Sequence, residues 1–364
     1  MITTPAMTSE PHGVAATPER ISELSGLLQS RIKATVTEIE RINLNTRLLA
    51  FNAQIEAARA GVAGISFNVV SGEMVKLAES IQQATSTIAK ESESLAGELA
   101  AISRELATSV RGTRLADLAY TNIELIDRNL YERSCDCRWW ATDGAVVSVL
   151  EGGHGDASVV ASSEERLAVI LKAYTVYFDI VVADTKGRIV ANGHPGLYKV
   201  KGLDCSSEPW FVTAMGKASG DDFGFQSVHA SALAAQQRAL IYSCKVGRGG
   251  RADRETIGVL GVVFRWDALA QTIVNATPID PESRAKTLIA IVDDERRILA
   301  ATDEALLGKS FETADAEEIF SREKTSMVGT VFGRPALIAH ALSPGYETYR
   351  TGWHSLIVEY RNAS

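Results

Sequence analysis

The sequence predicts a multidomain fold of the α plus α/β class: an antiparallel helical hairpin, then a long helix, then two lobes built on antiparallel sheets. Three observations support this fold class. The chain has 364 residues, more than the roughly 250–300 that a single core accommodates. Residues 18–111 contain no tryptophan or tyrosine and no proline beyond Pro18, whereas residues 138–364 contain all five tryptophans. A strand–turn–strand pattern also occurs twice in the second half, which predicts two similar lobes.

Composition argues against several classes of protein. The formal net charge of −8, without any basic stripe, argues against nucleic acid or an anionic membrane as a partner. No run approaches the ~20 apolar residues of a membrane-spanning helix, and the first residues lack the features of a secretory signal. We therefore expect a soluble, cytoplasmic protein with no membrane span, in which residues 1–17 form a disordered leader. The four cysteines are too few for a disulfide scaffold.

Residues 18–111 are predicted to form the helical hairpin. They are rich in Ala, Glu, Leu, Ser and Ile, which suits long helices. Two glycines, Gly61 and Gly64, permit a reversal of the chain, so the tip is expected near residues 60–66. Apolar residues recur every seven positions, a spacing typical of coiled coils; on the second arm they are Ile81, Ile88, Leu95 and Ile102. Because this stripe is only weakly apolar, we expect a homodimer whose two hairpins form a four-helix coiled coil.

The residues around this turn resemble the hairpin tip of methyl-accepting chemotaxis proteins. The resemblance rests on TRLLAFNAQIEAARAG at residues 46–61, FNVV at residues 67–70 and EMVKLAE at residues 73–79. It implies a signalling hairpin whose dimers can associate into trimers of dimers, and whose tip binds the chemotaxis histidine kinase and the coupling protein. The partner-contact residues that the resemblance implies are Leu44, Leu48, Leu49, Phe51, Glu56, Arg59 and Val69.

The tip also departs from the family pattern. Val62 stands where the family has Glu, and Asn68 stands where it has Ala. Ile65 and Ser66 replace the family's Arg-Gly pair. Three of these positions lie where the resemblance places the kinase and the coupling protein. Two interpretations therefore stay open, namely a hairpin coupled to the kinase and a hairpin that serves only for dimerisation.

The second half is predicted to contain a new helix and the two lobes. Helical spacing of Leu115, Ile123 and Leu130 predicts an amphipathic helix that starts after Gly112 and extends over residues 114–150. This helix and the first lobe would occupy residues 112–275, and the second lobe residues 276–364. Each lobe has a strand, a tight polar turn and a second strand. These patterns span residues 177–192 and 288–301.

The paired lobes resemble PAS-like sensor modules and, together with the leading helix, a double Cache domain. The resemblance implies a small-molecule ligand in the first lobe. Within the recurring pocket segment, Glu208 stands where the family has an Arg that binds carboxylates, which favours an amine, a cation or a neutral ligand. The ligand-binding candidates are Asp204, Glu208, Trp210, Phe211, Tyr242, Trp266 and Asp267. Core packing is the alternative for the aromatic residues, and a loop salt bridge is the alternative for Asp204 and Glu208.

No enzyme motif is present in the sequence. Metalloprotease, phosphate-binding and serine-nucleophile patterns are absent, and four histidines, His194, His229, His340 and His354, are isolated in sequence. We therefore expect no catalysis, no cofactor and no metal. The sequence predicts a cytoplasmic chemoreceptor-like signal transducer. The alternative is a ligand-binding dimer without kinase coupling.

Overall fold

The computed structural model describes residues 18–361, so the predicted leader at residues 1–17 lies outside the described residues. The chain divides into two compact units, and the division falls between Arg111 and Gly112. We call them the hairpin unit and the two-lobed unit.

The hairpin unit consists of two helices and a short turn. Helix α1 covers Pro18–Arg59, a 3-10 turn covers Gly61–Gly64, and helix α2 begins at Ile65. Gly61 has a φ of +59°, a left-handed conformation that glycine adopts without strain, and it starts the reversal. Helix α2 is 76 residues long and ends at Trp140 in the second unit.

A seam of small residues joins the two arms within one chain. Its buried members repeat every seven residues: Val36, Asn43, Ala50 and Ala57 on α1, Gly64 at the end of the 3-10 turn, and Ser71, Ala78 and Thr85 on α2. The Asn43 side-chain amide donates to the Ala78 carbonyl at 2.8 Å and thereby fixes the register. The large apolar residues of the predicted stripe, Ile88, Leu95 and Ile102, are exposed instead. Small residues therefore make the contact between the arms, and the large ones face outward.

Gly64, at the end of the turn, lies close to the backbone of α1. A Cβ atom at this residue would lie 2.1 Å from the Ala57 carbonyl oxygen, well inside contact distance. The backbone of α1 therefore occupies the space that any larger side chain at residue 64 would need.

The predicted start of a new helix after Gly112 is wrong, because α2 continues through this residue to Trp140. Gly112 does not break the helix. It allows close approach, since a Cβ atom there would lie 2.4 Å from the Ser326 hydroxyl. The predicted helix over residues 114–150 is also interrupted after Trp140. The Asp143 side chain accepts a hydrogen bond from the Ala145 amide and caps the separate helix α3, Gly144–Leu150.

Each lobe contains a five-stranded antiparallel sheet. The first lobe comprises α4 (Ala157–Ala173), β1 (Tyr177–Asp184), β2 (Ile189–Asn192), α5 (Pro209–Met215), β3 (Gly224–Ser231), β4 (Gln237–Gly247) and β5 (Thr256–Phe264). Helices α6 (Trp266–Ala276) and α7 (Pro281–Arg284) follow. The second lobe comprises β6 (Thr287–Val292), β7 (Ile298–Ala301), α8 (Ala316–Phe320), β8 (Lys324–Val331), β9 (Arg334–Leu342) and β10 (His354–Tyr360).

The two sheets have the same strand order. It is β2-β1-β5-β4-β3 in the first lobe and β7-β6-β10-β9-β8 in the second. The two predicted strand–turn–strand patterns are confirmed as β1–β2 and β6–β7. An aspartate organises each turn: Asp184 accepts from the Arg188 amide at 2.9 Å, and Asp293 accepts from the Arg297 amide at 2.8 Å. Similar sequence patterns therefore produce the same local structure in both lobes.

One core lies between α2 and the near faces of both sheets, the faces that contact this helix. Side chains of α2 such as Leu115, Ile123 and Leu130 are fully buried there, together with Tyr242 from the first sheet and Ile357 from the second. The far face of each sheet has its own cluster. Trp210 of α5 lies in the first of these clusters, and Ile319 of α8 lies in the second. Strand alternation explains the division, because neighbouring residues point to opposite faces.

The close approach at Gly64 can be tested with a matched pair of glycine substitutions. We expect Gly64→Ala to destabilise the hairpin by roughly 1–3 kcal/mol, because the new methyl group meets backbone atoms that cannot move freely. Amide hydrogen exchange of the seam residues in the full chain measures the effect.

Gly97→Ala is the control for this substitution. Gly97 lies in α2, and no neighbouring atom lies within 4 Å of the place that an added methyl group would take. Alanine should therefore stabilise the helix by about 0.5–1 kcal/mol. Slower exchange in both variants would contradict the packing argument.

Candidate functional site

The hairpin tip presents a row of exposed apolar side chains. Leu44, Leu48, Leu49, Phe51 and Val69, all predicted as partner contacts, are 44–65% exposed. They lie on the outer faces of α1 and α2, while the small-residue seam occupies the inner faces. Together with Glu56 and Arg59 they form what we call the tip surface. Large apolar groups in such a row are typical of a surface that binds a partner.

Glu56 and Arg59, the two charged residues of the tip surface, pair within one chain. The Arg59 guanidinium donates to the Glu56 carboxylate at 2.7 Å across one turn of α1. Both side chains remain about two-thirds exposed. An exposed ion pair of this kind contributes less than about 1 kcal/mol to folding. The pair can therefore exchange partners at little cost in free energy.

The end of the turn is also apolar. Val62 is 86% exposed, and Ile65 is exposed next to it. Ser66 and Asn68 are exposed on the first turn of α2. Val62 and Ile65 extend the apolar row of the tip surface to the end of the hairpin, and Ser66 and Asn68 add polar but uncharged side chains beside them.

Two of the predicted ligand-binding residues lie on the far face of the first sheet. Trp210 and Phe211 belong to α5, and both are buried in the far-face cluster with their ring centroids 5.9 Å apart. The Trp210 carbonyl accepts a hydrogen bond from the Ser243 hydroxyl of β4 at 2.6 Å. Gly261 of β5 allows the indole to approach the sheet, since a Cβ atom there would lie 3.0 Å from the ring. Helix α5 is thus fixed on the sheet by packing and by this hydrogen bond.

Tyr242 and Trp266 lie on the other side of the first sheet. The Tyr242 hydroxyl is 2.5 Å from the Tyr349 hydroxyl, and the Trp266 indole N–H donates to the Leu299 carbonyl at 2.8 Å. The Trp266 ring also packs edge-on against Trp353 at 5.3 Å. These aromatic residues connect the two lobes. The structure therefore does not bring Tyr242 and Trp266 together with Trp210 and Phe211.

The three acidic candidates occupy separate places. Asp204 is exposed and accepts from the Ser206 amide at 2.9 Å, a hydrogen bond that lowers the pKa of its carboxyl group. Glu208 is exposed at the start of α5 and makes no side-chain capping bond. Asp267 lies 3.3 Å from the Arg238 guanidinium in an open groove, and its partial burial raises the pKa of the carboxyl group. Arg265 lines the same groove.

Two histidines that are isolated in sequence form a buried pair in the second lobe. Nε2 of His340 on β9 is 2.8 Å from Nδ1 of His354 on β10, and Phe320 of α8 packs edge-on against both rings. Burial lowers the pKa of His340 to about 3 and that of His354 to about 4. Both imidazoles are therefore neutral at physiological pH. Strand alternation could have indicated the pair, since both residues point to the far face with Ile338 and Leu356.

Residues 18–361 contain neither a candidate metal site nor a candidate membrane-spanning helix. No group of three or more His, Cys, Asp or Glu side chains in this range is placed to hold a metal ion. In the same part of the chain, no helix combines the length and the apolar character that crossing a lipid bilayer requires.

Comparison with protein families identifies the signalling segment. Residues 7–124 match the model of the methyl-accepting chemotaxis protein signalling domain. A probable chemoreceptor of Sinorhizobium fredii, y4sI, is 39% identical over 90 residues, which are 23% of this chain and 12% of the relative. The chemotaxis protein McpC of Bacillus subtilis is 55% identical over 56 residues, 15% of this chain and 8% of the relative. The chain thus spans only a small part of the length of the curated relatives it matches.

Solved structures share the fold of the two-lobed unit. The sensor domain of the Vibrio cholerae histidine kinase DctB aligns with 68% of this chain and 96% of its own, at a TM-score of 0.52 and 12% identity. The sensory domain of the Campylobacter jejuni chemoreceptor Tlp3 aligns with 69% of this chain and 94% of its own, at a TM-score of 0.52 and 15% identity. At such low identity the likeness concerns the fold alone.

The chain therefore contains a segment similar to the signalling domain of methyl-accepting chemotaxis proteins. Its two-lobed unit has the same fold as the sensor domains of DctB and Tlp3.

The buried histidine pair predicts a specific loss of stability in acid. Between about pH 6.5 and pH 4 the unfolded chain binds protons at both histidines while the folded chain does not, so stability falls as the pH is lowered. Each histidine adds up to about 1.4 kcal/mol per pH unit to this slope. Urea denaturation from pH 4.5 to 8 measures it.

In the variant His340→Leu, the free energy of unfolding should fall less steeply as the pH drops below 6.5, and above pH 7 it should run parallel to that of the unmodified protein. If the free energies of unfolding of the two proteins fall equally steeply below pH 6.5, the pair does not stay neutral in the folded state.

Proposed function

We propose that this protein is a cytoplasmic chemoreceptor-like signal transducer. It binds a small molecule with its two-lobed unit and signals through the hairpin tip to the chemotaxis histidine kinase and the coupling protein. One observation supports this most directly: the apolar tip surface belongs to the segment that matches the chemotaxis signalling domain. The presence of a Cache-like fold in the same chain supports the sensing part of the proposal.

The proposed active form is a homodimer whose hairpins form a four-helix coiled coil. The small-residue seam already uses the inner faces of α1 and α2, which leaves Ile88, Leu95 and Ile102 exposed at seven-residue spacing. Burying such side chains contributes roughly 1.5–3 kcal/mol each. A second copy offers the same stripe and can cover it along the whole arm. The tip surface would then remain available for a trimer of dimers.

Kinase coupling is the part of the proposal with a specific alternative. Val62, Ile65, Ser66 and Asn68 replace residues that the family uses at the tip, and the turn consequently lacks charge. If the kinase requires those charges, the protein is a ligand-binding dimer whose hairpin serves only for assembly. The retained Glu56–Arg59 pair and the apolar row favour coupling.

The proposed ligand is a small compound with an amino group that binds in the first lobe. The chemoreceptor Tlp3, whose sensory domain shares the fold at a TM-score of 0.51, has been solved with isoleucine bound. In this chain Glu208 is an exposed acidic group at the start of α5, next to Trp210 and Phe211. Its negative charge favours an amine or an amino acid over a free carboxylic acid.

The proposed signal passes through α2. This helix contributes to the core of the two-lobed unit up to Trp140 and also forms the second arm of the hairpin unit from Ile65. A ligand that favours one of two positions of α2 would shift the equilibrium of the hairpin by its difference in affinity for the two states.

The tip surface can be tested by capture of the chemotaxis proteins. Phe51→Glu should reduce capture of the kinase and coupling protein by the full chain roughly tenfold or more, because a buried charge at an apolar contact is costly. A pull-down with both purified partners measures it, and light scattering should show an unchanged dimer. Leu197→Glu, which alters an exposed leucine of the two-lobed unit, is the matched control.

If the unmodified chain captures neither partner, the chemotaxis function is wrong and the assembly alternative stands.

The sensing function can be tested by a thermal-shift screen of L-amino acids, primary amines and organic acids. A ligand at 100 times its dissociation constant should stabilise the protein by about 2.7 kcal/mol. We expect amines or amino acids to give the shift, and Glu208→Gln to weaken their binding by roughly tenfold.

Glu255→Gln alters another exposed acid of the first lobe, and it should leave the shift unchanged. A shift with dicarboxylic acids only would contradict the assignment of Glu208.

A further inference from the structure

One loop of the second lobe contacts both α2 and the first sheet. This β9–β10 loop, residues 343–353, leaves β9 and returns to β10 with the Ser343 amide bonded to the Trp353 carbonyl at 2.8 Å. Two glycines in it, Gly345 and Gly352, have positive φ angles that permit its tight path. The Arg350 guanidinium also donates to the Ser343 carbonyl at 2.8 Å. The loop is thus an ordered structure with internal hydrogen bonds.

The buried Asp127 holds this loop on α2. Its carboxylate accepts from the Ser343 hydroxyl at 2.5 Å, from the Gly345 amide at 2.8 Å and from the Thr351 hydroxyl at 2.7 Å. The Asp127 side chain is fully buried. If the loop moves away, the carboxylate loses these donors inside the protein, which is costly. Movement of the whole loop away from α2 would therefore remove these three donors of Asp127 at once.

Aromatic contacts join the same loop to the first sheet. The Tyr349 hydroxyl is 2.5 Å from the Tyr242 hydroxyl of β4, and the two phenols are buried. Phe223, just before β3, packs against both rings at 5.7–5.9 Å. Burial raises the pKa of Tyr242 and of Tyr349, so the contact is between two neutral hydroxyl groups. Each of these hydroxyl groups has the other as its hydrogen-bond partner.

A second hydrogen bond continues from β4 to α5. Ser243 follows Tyr242 on β4, points to the opposite face of the sheet, and donates to the Trp210 carbonyl. Contacts therefore run without a gap from α5, through β4 and the Tyr242–Tyr349 pair, to the β9–β10 loop and Asp127 on α2. Contiguous packed groups of this kind are the physical route by which two sites can be coupled.

We propose that the β9–β10 loop is the element that couples α5 in the first lobe to α2, with Asp127 and Tyr349 as positioning residues. A displacement of β4 breaks the contact between the two phenols, and the loop then releases Asp127. This inference rests on the proposed function, because it describes how a ligand near α5 would act on α2. It differs from that proposal in naming the second lobe as the intermediate.

Hydrogen exchange of the full chain, followed by mass spectrometry, tests the coupling. Trp210→Phe should speed exchange of the loop amides Gly345 and Thr351 at least tenfold, although both lie on the second lobe. In a Tyr349→Phe background the same substitution should have no further effect on these amides. Ser243→Ala serves as the second perturbation if Trp210→Phe does not fold.

Tyr198→Phe is the matched control. Tyr198 is a buried tyrosine of the first lobe that lies in the far-face cluster, away from the loop. Its substitution should change exchange in the first lobe only.

The coupling is overturned if Trp210→Phe changes exchange at α5 alone, or if its effect on the loop persists in the Tyr349→Phe background. Neither ligand nor kinase is present in this experiment. A negative result therefore counts against the coupling and leaves the proposed function to the capture and thermal-shift tests.

Discussion

The structure of the two-lobed unit depends on one constraint, which is that each sheet has apolar side chains on both faces. Each lobe covers its far face with its own short helix, α5 or α8. Helix α2 is shared by the near faces of both sheets, with Leu115, Ile123 and Leu130 fully buried, and side chains of α3, α4 and α6 complete the same core. Since burial of each such side chain contributes roughly 1.5–3 kcal/mol, α2 cannot leave its place without exposing both lobes. The same helix is one arm of the hairpin, so the most constrained element of one unit is also part of the other.

Local patterns predicted much of the fold. The β1–β2 and β6–β7 hairpins follow from strand residues around short polar turns, and the turn of the helical hairpin follows from two glycines. The prediction failed where a local signal has a tertiary meaning. Gly112 looks like a helix break, but its missing side chain accommodates Ser326. The sequence around Trp140 predicts that the helix continues, but α2 ends at this residue and Asp143 caps the separate helix α3. The contact between the hairpin arms also eluded prediction, because small residues make it and large ones face outward.

The two candidate sites also differ in how well the sequence predicted the placement of their residues. The tip residues were assigned from the family resemblance, and Leu48, Phe51 and their neighbours are exposed because the seam occupies the inner faces of the two helices. The aromatic residues of the first lobe are different. The resemblance to the family placed Trp210 in the pocket segment and suggested Tyr242 as a further wall of the same pocket, yet the structure places them on opposite faces of the sheet. Pairing across strands, which is invisible in the sequence, decides which of these side chains meet. His340 and His354 illustrate this, because they are adjacent only through the β9–β10 pairing.

The identical strand order of the two sheets allows one lobe to serve as a structural reference for the other. Both sheets follow the same five-strand path, with an aspartate-organised turn at Asp184 and again at Asp293. The first lobe has a tryptophan–phenylalanine pair on its far face, and the second has a buried histidine pair at the far face of its own sheet. One architecture thus accommodates two different side-chain clusters at comparable places in the same chain.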